Sequence, residues 1–289
     1  MSATLLIRAD ASPQIGTGHV MRCLALAQAW QEQGGKVVFA SVLISPGLAE
    51  RLRTEGIELH SIAQVPGSAA DAHETTALAQ ELRAPWLVVD NYHFDDNYQQ
   101  LLKQRGLRLL AIDDYGHATH YHADMVLNQN IYASVDLYPQ CNPNTKLLLG
   151  CDYALLRREF WPWRDWQRPI AATARRVLVT LGGADPHNTT ARVVQALDLI
   201  AAVDLEVVVL IGASNPYLSA IEATVRASRH QIVVRQNVSD MPELMAWADV
   251  AITAAGSTCW ELLAMGYPHG SQHLPIISCR RATDWRGAN

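Results

Sequence analysis

The sequence predicts an α/β protein made of two Rossmann-like, doubly wound halves in series. Three observations predict it. Short β-branched runs alternate with longer helical patterns almost throughout; the alternation is interrupted once, by an aromatic, proline-bearing stretch, and then restarts; and a glycine-rich turn follows the first strand of each half. Strands that alternate with helices imply parallel βαβ units, because two parallel neighbours need a crossover between them. A chain of 289 residues is long for one domain and sufficient for two separate cores.

In the first half, Thr4–Ala9 reads as a buried strand and Val20–Gln33 as a helix with one apolar face. Lys36–Ser41 is the next strand, followed by a helix around Leu48–Glu55. Ile57–Ile62, Trp86–Asn91, Leu107–Asp113 and Met125–Asn128 continue the strands, with helices around Asp71–Leu82 and Asp95–Arg105. The interruption is Phe160-Trp-Pro-Trp-Arg-Asp-Trp-Gln-Arg-Pro169, with two prolines, three tryptophans and no strand period. It reads as an inter-domain linker with anchoring aromatics, a buried helix being the alternative. Strands Arg176–Thr180, Leu205–Ile211, Gln231–Arg235 and Val250–Thr253 then alternate with helices Thr189–Ala202, Tyr217–Ser228, Met241–Ala248 and Cys259–Met265. The expected domains are 1–158, a linker at 159–175, a second domain at 176–268 and an aberrant tail at 269–289.

Composition excludes several classes. The chain is 49% hydrophobic and 18% charged, with a net charge of −5 and no basic cluster, which argues against nucleic-acid binding. No apolar run approaches membrane-spanning length, and Arg8 and Asp10 interrupt the N-terminal apolar run too early for a signal peptide. Five cysteines, odd in number and without a CxxC pair, fit reduced thiols and a cytoplasmic protein.

In an open α/β sheet, ligands sit beyond the carboxyl ends of the strands, which selects four loops. After the first strand, Ile15-Gly-Thr-Gly-His19 pairs a tight turn with a helix start. It is either a plain strand-to-helix turn with a surface histidine or a site in which the helix N-terminus keeps the His19 imidazole neutral, as a general base requires. In the second half, Gly182 and Gly183 precede Ala-Asp-Pro-His-Asn188, which suits either a pyrophosphate resting on amides or an Asp-Pro helix start. Gly256, Ser257 and Thr258 open a further helix with amides and hydroxyls for phosphate, and Glu261 lies one turn on, in reach of a ribose diol. The competing account is a capping box of Ser257 or Thr258 with Glu261. The fourth place joins Val88-Val-Asp-Asn-Tyr92-His-Phe to Asp113-Asp-Tyr-Gly-His117, whose polar groups are placed to touch a sugar. The spacing of Asp113, Asp114, His117, His120 and His122 matches no helix-borne or cysteine-containing metal site, so no metal and no cofactor are expected.

Together, Arg8-Ala-Asp10…Ile-Gly-Thr-Gly18-His19-Val-Met-Arg22-Cys, Val-Val-Asp-Asn-Tyr92, Tyr153-Ala-Leu-Leu-Arg157-Arg-Glu-Phe, Thr-Leu-Gly-Gly-Ala-Asp and Ala-Gly-Ser-Thr-Cys-Trp-Glu261 resemble one family. It is the UDP-2,4-diacetamido-2,4,6-trideoxy-β-L-altropyranose hydrolases of pseudaminic acid biosynthesis, relatives of the lipid II N-acetylglucosaminyl transferase. The match runs from Ile7 to about Pro268 with the motifs in order. The resemblance implies a glycosyltransferase-B architecture, with two Rossmann-like domains facing a cleft, and metal-free hydrolysis of the UDP-sugar with inversion at the anomeric carbon. It makes His19 the general base, sets Tyr92 beside the sugar, assigns Ser257, Thr258 and Glu261 to the UDP-binding helix, and has Arg157 line the cleft. Asp10, Gly18, Arg22, Gly182, Gly183 and Gly256 join them as expected substrate contacts. A UDP-sugar glycosyltransferase is the nearest alternative, and an inactive sugar-nucleotide binder is another.

After Pro268 the sequence departs from that family. An apolar strand and an Asp-Asn-Gln segment are expected there, whereas the chain reads His269-Gly-Ser-Gln-His-Leu-Pro and turns rich in His and Arg. The expectation is a truncated second domain whose last strands are missing, leaving an unpaired sheet edge.

Overall fold

The computed structural model describes residues 3–12, 15–183, 185–212, 215–236, 238–267 and, for the backbone alone, 276–279. The chain divides into two compact units, one of Met1–Ser12 with His19–Arg158, the other of Pro13–Gly18 with Glu159–Asn289.

The first unit is built on β1 (Thr4–Ala9), α1 (Gly18–Glu32), β2 (Lys36–Ser41), α2 (Pro46–Thr54), β3 (Glu58–Ser61), α3 (Ala69–Glu81), β4 (Trp86–Asp90), α4 (Asp96–Lys103), β5 (Arg108–Ile112), β6 (Met125–Asn128) and β7 (Lys146–Leu149). Its sheet has seven parallel strands in the order β3-β2-β1-β4-β5-β6-β7. Side chains alternate across a strand, so Leu5 and Ile7 of β1 pack with Val20, Leu24, Phe39 and Leu52, while Leu6 packs in the opposite layer with Val38, Leu87, Tyr98 and Leu102. Apolar residues on both faces are what a helix-covered parallel sheet requires. Three helices start on side-chain caps. Ser45 accepts from Leu48 N, Ser68 from Asp71 N and Asp95 from Tyr98 N.

Strand β7 was not expected. Lys-Leu-Leu-Leu lacks β-branched residues, and the strand is reached from β6 without an α-helix. It forms because β6 presents a free edge, against which Lys146–Leu149 pairs in register with Met125–Asn128.

The second unit contains β8 (Arg176–Thr180), α5 (Thr189–Leu197), β9 (Glu206–Ile211), α6 (Leu218–Ala227), β10 (Gln231–Gln236), α7 (Met241–Trp247), β11 (Val250–Ala254), α8 (Ser257–Ala264) and β12 (Ile276–Cys279). Its parallel order is β10-β9-β8-β11-β12. Helix α5 stops at Leu197, short of the expected Ala202, where Ile200 N turns back to the Leu197 carbonyl at 2.9 Å. The expectation of an unpaired edge at β11 is corrected: Ile276–Cys279 pairs with Ala251–Ala254 along its length. Within the tail, 269–275 and 280–289 lie outside the described residues, as does the expected Asp-Asn-Gln position.

The aromatic stretch belongs to the core of this unit. A 3-10 helix, Arg158–Trp163, buries Phe160, and Trp163 and Trp166 pack against the same cluster as Leu178, Leu244 and Leu262. Arg168 donates to the Met245 and Ala248 carbonyls at the end of α7, at 2.6 and 2.7 Å, and to the Met265 carbonyl after α8 at 3.0 Å. Its guanidinium carbon lies 3.5 Å from the centroid of the Tyr267 ring. One cation thus caps two helix C-termini, and the Tyr267 hydroxyl shares the Met245 and Ala248 carbonyls with it at 2.7 and 2.9 Å.

In each sheet the strand order reverses beside the first strand, at β1/β4 in one unit and at β8/β11 in the other. Loops diverge there, and the carboxyl ends of those strands form the natural crevice.

Candidate functional site

At the β1/β4 switch point the first unit assembles a chain of charged and aromatic groups. His19 lies in the first turn of α1 and Arg22 one turn on, so both project from the same side of the helix. Asp90 ends β4, and both side chains reach it. His19 Nδ1 is 2.6 Å from Asp90 Oδ1, and Arg22 donates through Nε to Oδ2 and through Nη2 to Oδ1, each at 2.6 Å. Arg22 Nη1 donates to Asp114 Oδ1 at 2.6 Å, and the Tyr92 hydroxyl donates to Asp114 Oδ2 at 2.8 Å. The Tyr92 ring stands edge-on to His19 with centroids 4.8 Å apart.

The geometry selects a tautomer. Arg22 Nη2 also lies 3.2 Å from His19 Nδ1, but a guanidinium offers only donors, whereas the nearer Asp90 is a carboxylate. Nδ1 therefore carries the proton and donates to Asp90, so a neutral imidazole keeps its lone pair on Nε2. An acidic partner on Nδ1 fixes ring orientation and stabilises the imidazolium once it forms. Burial raises the Asp90 carboxyl, but Arg22 and His19 outweigh it and hold the group well below the usual carboxylate range. Burial likewise opposes the Arg22 charge, and Asp90 and Asp114 more than restore it. Burial and the Asp114 charge push the Tyr92 hydroxyl up, so it stays a donor.

A second imidazole–carboxylate pair lies on the next loop. His117 Nδ1 is 2.5 Å from Asp113 Oδ1, and Asp113 Oδ2 accepts from Gly116 N at 2.6 Å and from the Tyr138 hydroxyl at 2.8 Å. Burial opposes ionisation of Asp113, yet these donors bring its carboxyl down to about 2. Burial also lowers His117, and the Asp113 hydrogen bond overrides this to raise it.

Several expected contacts are engaged within the first unit or lie at its edge. Asp10 is buried and fully engaged: Oδ1 accepts from Val42 N at 2.7 Å, Leu43 N at 3.2 Å and Ser41 Oγ at 3.1 Å, while Oδ2 meets Asn91 Nδ2 at 3.1 Å and Arg8 Nη1 at 2.8 Å. It ties the loops after β1, β2 and β4 together. Arg22 is similarly saturated by Asp90 and Asp114. Arg157 is buried, and the backbone beside it is anchored by Leu155 N to Gln129 and by Arg158 N to Gln28 on α1. Gly18 is exposed at the start of α1.

At the β8/β11 switch point of the second unit the two glycine turns differ. Asp185 accepts from Thr189 N at 2.8 Å and from Thr190 N at 2.9 Å, so the opening amides of α5 are capped from within. Gly182 adopts a φ of +85°, and a Cβ at Gly212 would collide with the Gly183 carbonyl, so glycine is required there for close approach of two loops. Helix α8 starts instead on Gly256, with no side-chain cap. Ser257 and Thr258 are half-buried, and Glu261 is buried one turn on.

Sequence reasoning missed Asp90 and Asp114 as partners of His19 and Arg22. Their signal was a carboxylate at the carboxyl end of β4 and another just beyond β5, the two strands after the switch point. Among the described residues, no group of three or more His, Cys, Asp or Glu is arranged to hold a metal ion, and no helix is long and apolar enough to cross a membrane.

Residues 176–269 match the glycosyltransferase family 28 C-terminal domain. The UDP-2,4-diacetamido-2,4,6-trideoxy-β-L-altropyranose hydrolase of Campylobacter jejuni is 25% identical over 90% of this chain and 88% of its own length. An uncharacterised protein of Methanocaldococcus jannaschii is 22% identical over 91% of the chain, which spans 54% of that relative. Among solved structures, Alr3699/HepE from Anabaena, determined in complex with UDP-glucose, superposes with a TM-score of 0.60 at 13% identity, covering 95% of this chain and 80% of its own. The glycosyltransferase-B architecture and the family resemblance read from the sequence are both borne out.

Proposed function

We propose that this chain, a glycosyltransferase-B-fold protein related to the UDP-sugar hydrolases of pseudaminic acid biosynthesis, hydrolyses a UDP-linked sugar, with UDP-2,4-diacetamido-2,4,6-trideoxy-β-L-altropyranose as its substrate. The observation that carries the reading is the His19 Nδ1–Asp90 contact of 2.6 Å at the β1/β4 switch point. Asp90 holds the proton of a neutral imidazole on Nδ1, and Nε2 takes a proton from water. The water oxygen forms a bond to the anomeric carbon as the bond from that carbon to the β-phosphate oxygen breaks, with inversion. The electron pair leaves with UDP, and Asp90 stabilises the imidazolium. Tyr92 flanks the sugar, and Arg22 and Asp114 hold Asp90 and Tyr92 in place.

The second unit binds the nucleotide. The uncapped start of α8, Gly256 to Thr258, offers amides to the pyrophosphate, and Glu261 accepts from the ribose. The Gly182–Gly183 turn supplies further backbone approach. A diphosphate leaving group needs little more than this electrostatic support.

The test is UDP release from the purified protein and the candidate UDP-sugar, without an acceptor. Release that is abolished by His19→Ala supports hydrolysis. Release only on adding a sugar or lipid acceptor would mean a glycosyltransferase, and UDP-sugar binding without release under either condition would mean a binder.

A further inference from the structure

Around His19, the described polar side chains of Arg22, Asp90 and Asp114 are committed to one another and to their neighbours. Asp90 Oδ1 accepts from His19 and Arg22, Asp90 Oδ2 from Arg22 and Cys23, Asp114 Oδ1 from Arg22 and Asn130, and Asp114 Oδ2 from Tyr92. A carboxylate has about four acceptor sites, so Asp90 is full and Asp114 nearly so. Beside this network the loops expose tyrosine rings. Tyr92 is 38% exposed and Tyr115 52% exposed, with centroids 5.2 Å apart, and Tyr132, on the next loop, is 60% exposed.

Tyr115 is also held there by a built turn. Asp113 N donates to the Leu127 carbonyl at 2.9 Å, and Asp113 Oδ2 accepts from Gly116 N at 2.6 Å, closing the turn across Asp114 and Tyr115. Gly116 has a φ of +73°, and a Cβ there would strike the Leu137 carbonyl. The His117–Asp113 pair fixes the far side of the turn. Asp114 consequently points inward to Arg22 and Tyr92, while the neighbouring Tyr115 ring packs against Tyr92 at an interplanar angle of 41°.

We propose that Tyr115 is a specificity-determining residue, its tilted ring forming with Tyr92 an aromatic corner for the apolar side of the sugar positioned at His19. The sugar class it fits is an N-acylated, deoxygenated UDP-hexose, which offers methyl groups where an ordinary hexose offers hydroxyls. Hydroxyls set against this corner would lose water and find few open acceptors. The proposal rests on the hydrolase reading for the location of the sugar, and it names which sugars are accepted.

The experiment separates the two. Affinities for the diacetamido-trideoxy UDP-sugar, for UDP-glucose and for UDP are measured by calorimetry in a His19→Gln background, with Tyr115 intact or changed to Ala or Phe. Tyr115→Ala is expected to weaken the acylated UDP-sugar about tenfold, the scale of one lost apolar contact, and to leave UDP and UDP-glucose unchanged. Tyr115→Phe restores the affinity, because the ring and not the hydroxyl is used. Equal weakening of all three ligands, or no change for the acylated sugar, overturns the proposal. A parallel assay of UDP release by the unmodified chain tests hydrolysis alone. If Tyr115 discriminates among sugars while no UDP is released, the hydrolase reading fails and the aromatic corner stands.

Discussion

At its switch point, the first unit buries Asp90 against an arginine and a histidine and routes a second carboxylate through the same arginine, whereas the second unit's switch point is made of glycine turns and helix starts. The same βαβ topology therefore supports two kinds of surface. Interlocked side chains hold an imidazole at a defined angle and in one tautomer, which is what proton transfer needs. Backbone amides at a helix start accept an anion without committing to its exact orientation, which suits a diphosphate. Even within the second unit the two starts diverge, since Asp185 already occupies the amides of α5 whereas the N-cap of α8 is Gly256, which has no side chain to accept from its amides.

Removing the charge at the centre of the first network should have the largest effect. Asp90→Asn leaves Arg22 without its main partner and lets the imidazole adopt the wrong tautomer. Breaking a buried pair costs about 3–5 kcal/mol, and UDP release should fall by roughly 10²–10⁴-fold. The loss should also be pH-dependent. The folded Asp90 carboxyl lies below its unfolded range, so the stability it contributes is present above pH ~4 and is lost as the pH falls through the folded value. Acid unfolding monitored by circular dichroism should therefore be shallower in the variant; an identical acid profile would remove Asp90 from the centre of the network.

His19→Ala should lower turnover by roughly 10²–10⁴-fold while UDP affinity stays near that of the parent, because the proposed base lies in one unit and the proposed nucleotide site in the other. A parallel loss of UDP affinity would erase the functional division between the two regions. Glu261→Ala should do the reverse. It should weaken UDP about tenfold, which removes about 1.4 kcal/mol of the thermal protection that saturating UDP provides. Undiminished protection in a melting assay would move the nucleotide away from α8.

Asp185→Ala sharpens the contrast between the two helix starts. Loss of the α5 cap should cost about 1 kcal/mol, a drop of about 2–4 °C in melting temperature, and leave UDP affinity unchanged. Tighter UDP binding in this variant would mean that the freed α5 amides compete for the phosphate. The smallest effect belongs to His117. Asp113 raises its folded titration above the unfolded value, so its contribution is complete below pH ~6.5 and is lost as the pH rises through the raised value. A melting temperature measured from pH 5.5 to 8.5 should decline slightly in the parent, and less so in His117→Gln.

Much of this was legible in the amino-acid order. Strands β1, β2, β6 and β8 coincide with their expected limits, because runs such as Lys-Val-Val-Phe-Ala-Ser are apolar, β-branched and bounded by turn residues. The position of His19 followed from a glycine turn after a strand, a local pattern. Strand β7 was not legible, since its pairing depends on an edge donated by β6 and not on its own propensity. The aromatic stretch at 160–169 was read as a linker for the same reason: its burial depends on α7 and α8 packing over it.

By itself, the sequence determined the α/β class, the alternation that yields two parallel sheets, and which loops carry His19, Tyr92 and Glu261, because periodicity and turn chemistry act over a few residues. Only the tertiary structure decided what those residues meet. Asp90 is 71 positions from His19, and Asp114 is 92 from Arg22. Their convergence follows from a strand order that sets β4 directly beside β1 and β5 next to it. The distinction between Asp10, engaged by three loops, and Asp90, engaged by His19, arises at the same level. A carboxylate's role depends on which donors surround it in the fold, and those donors come from distant parts of the chain.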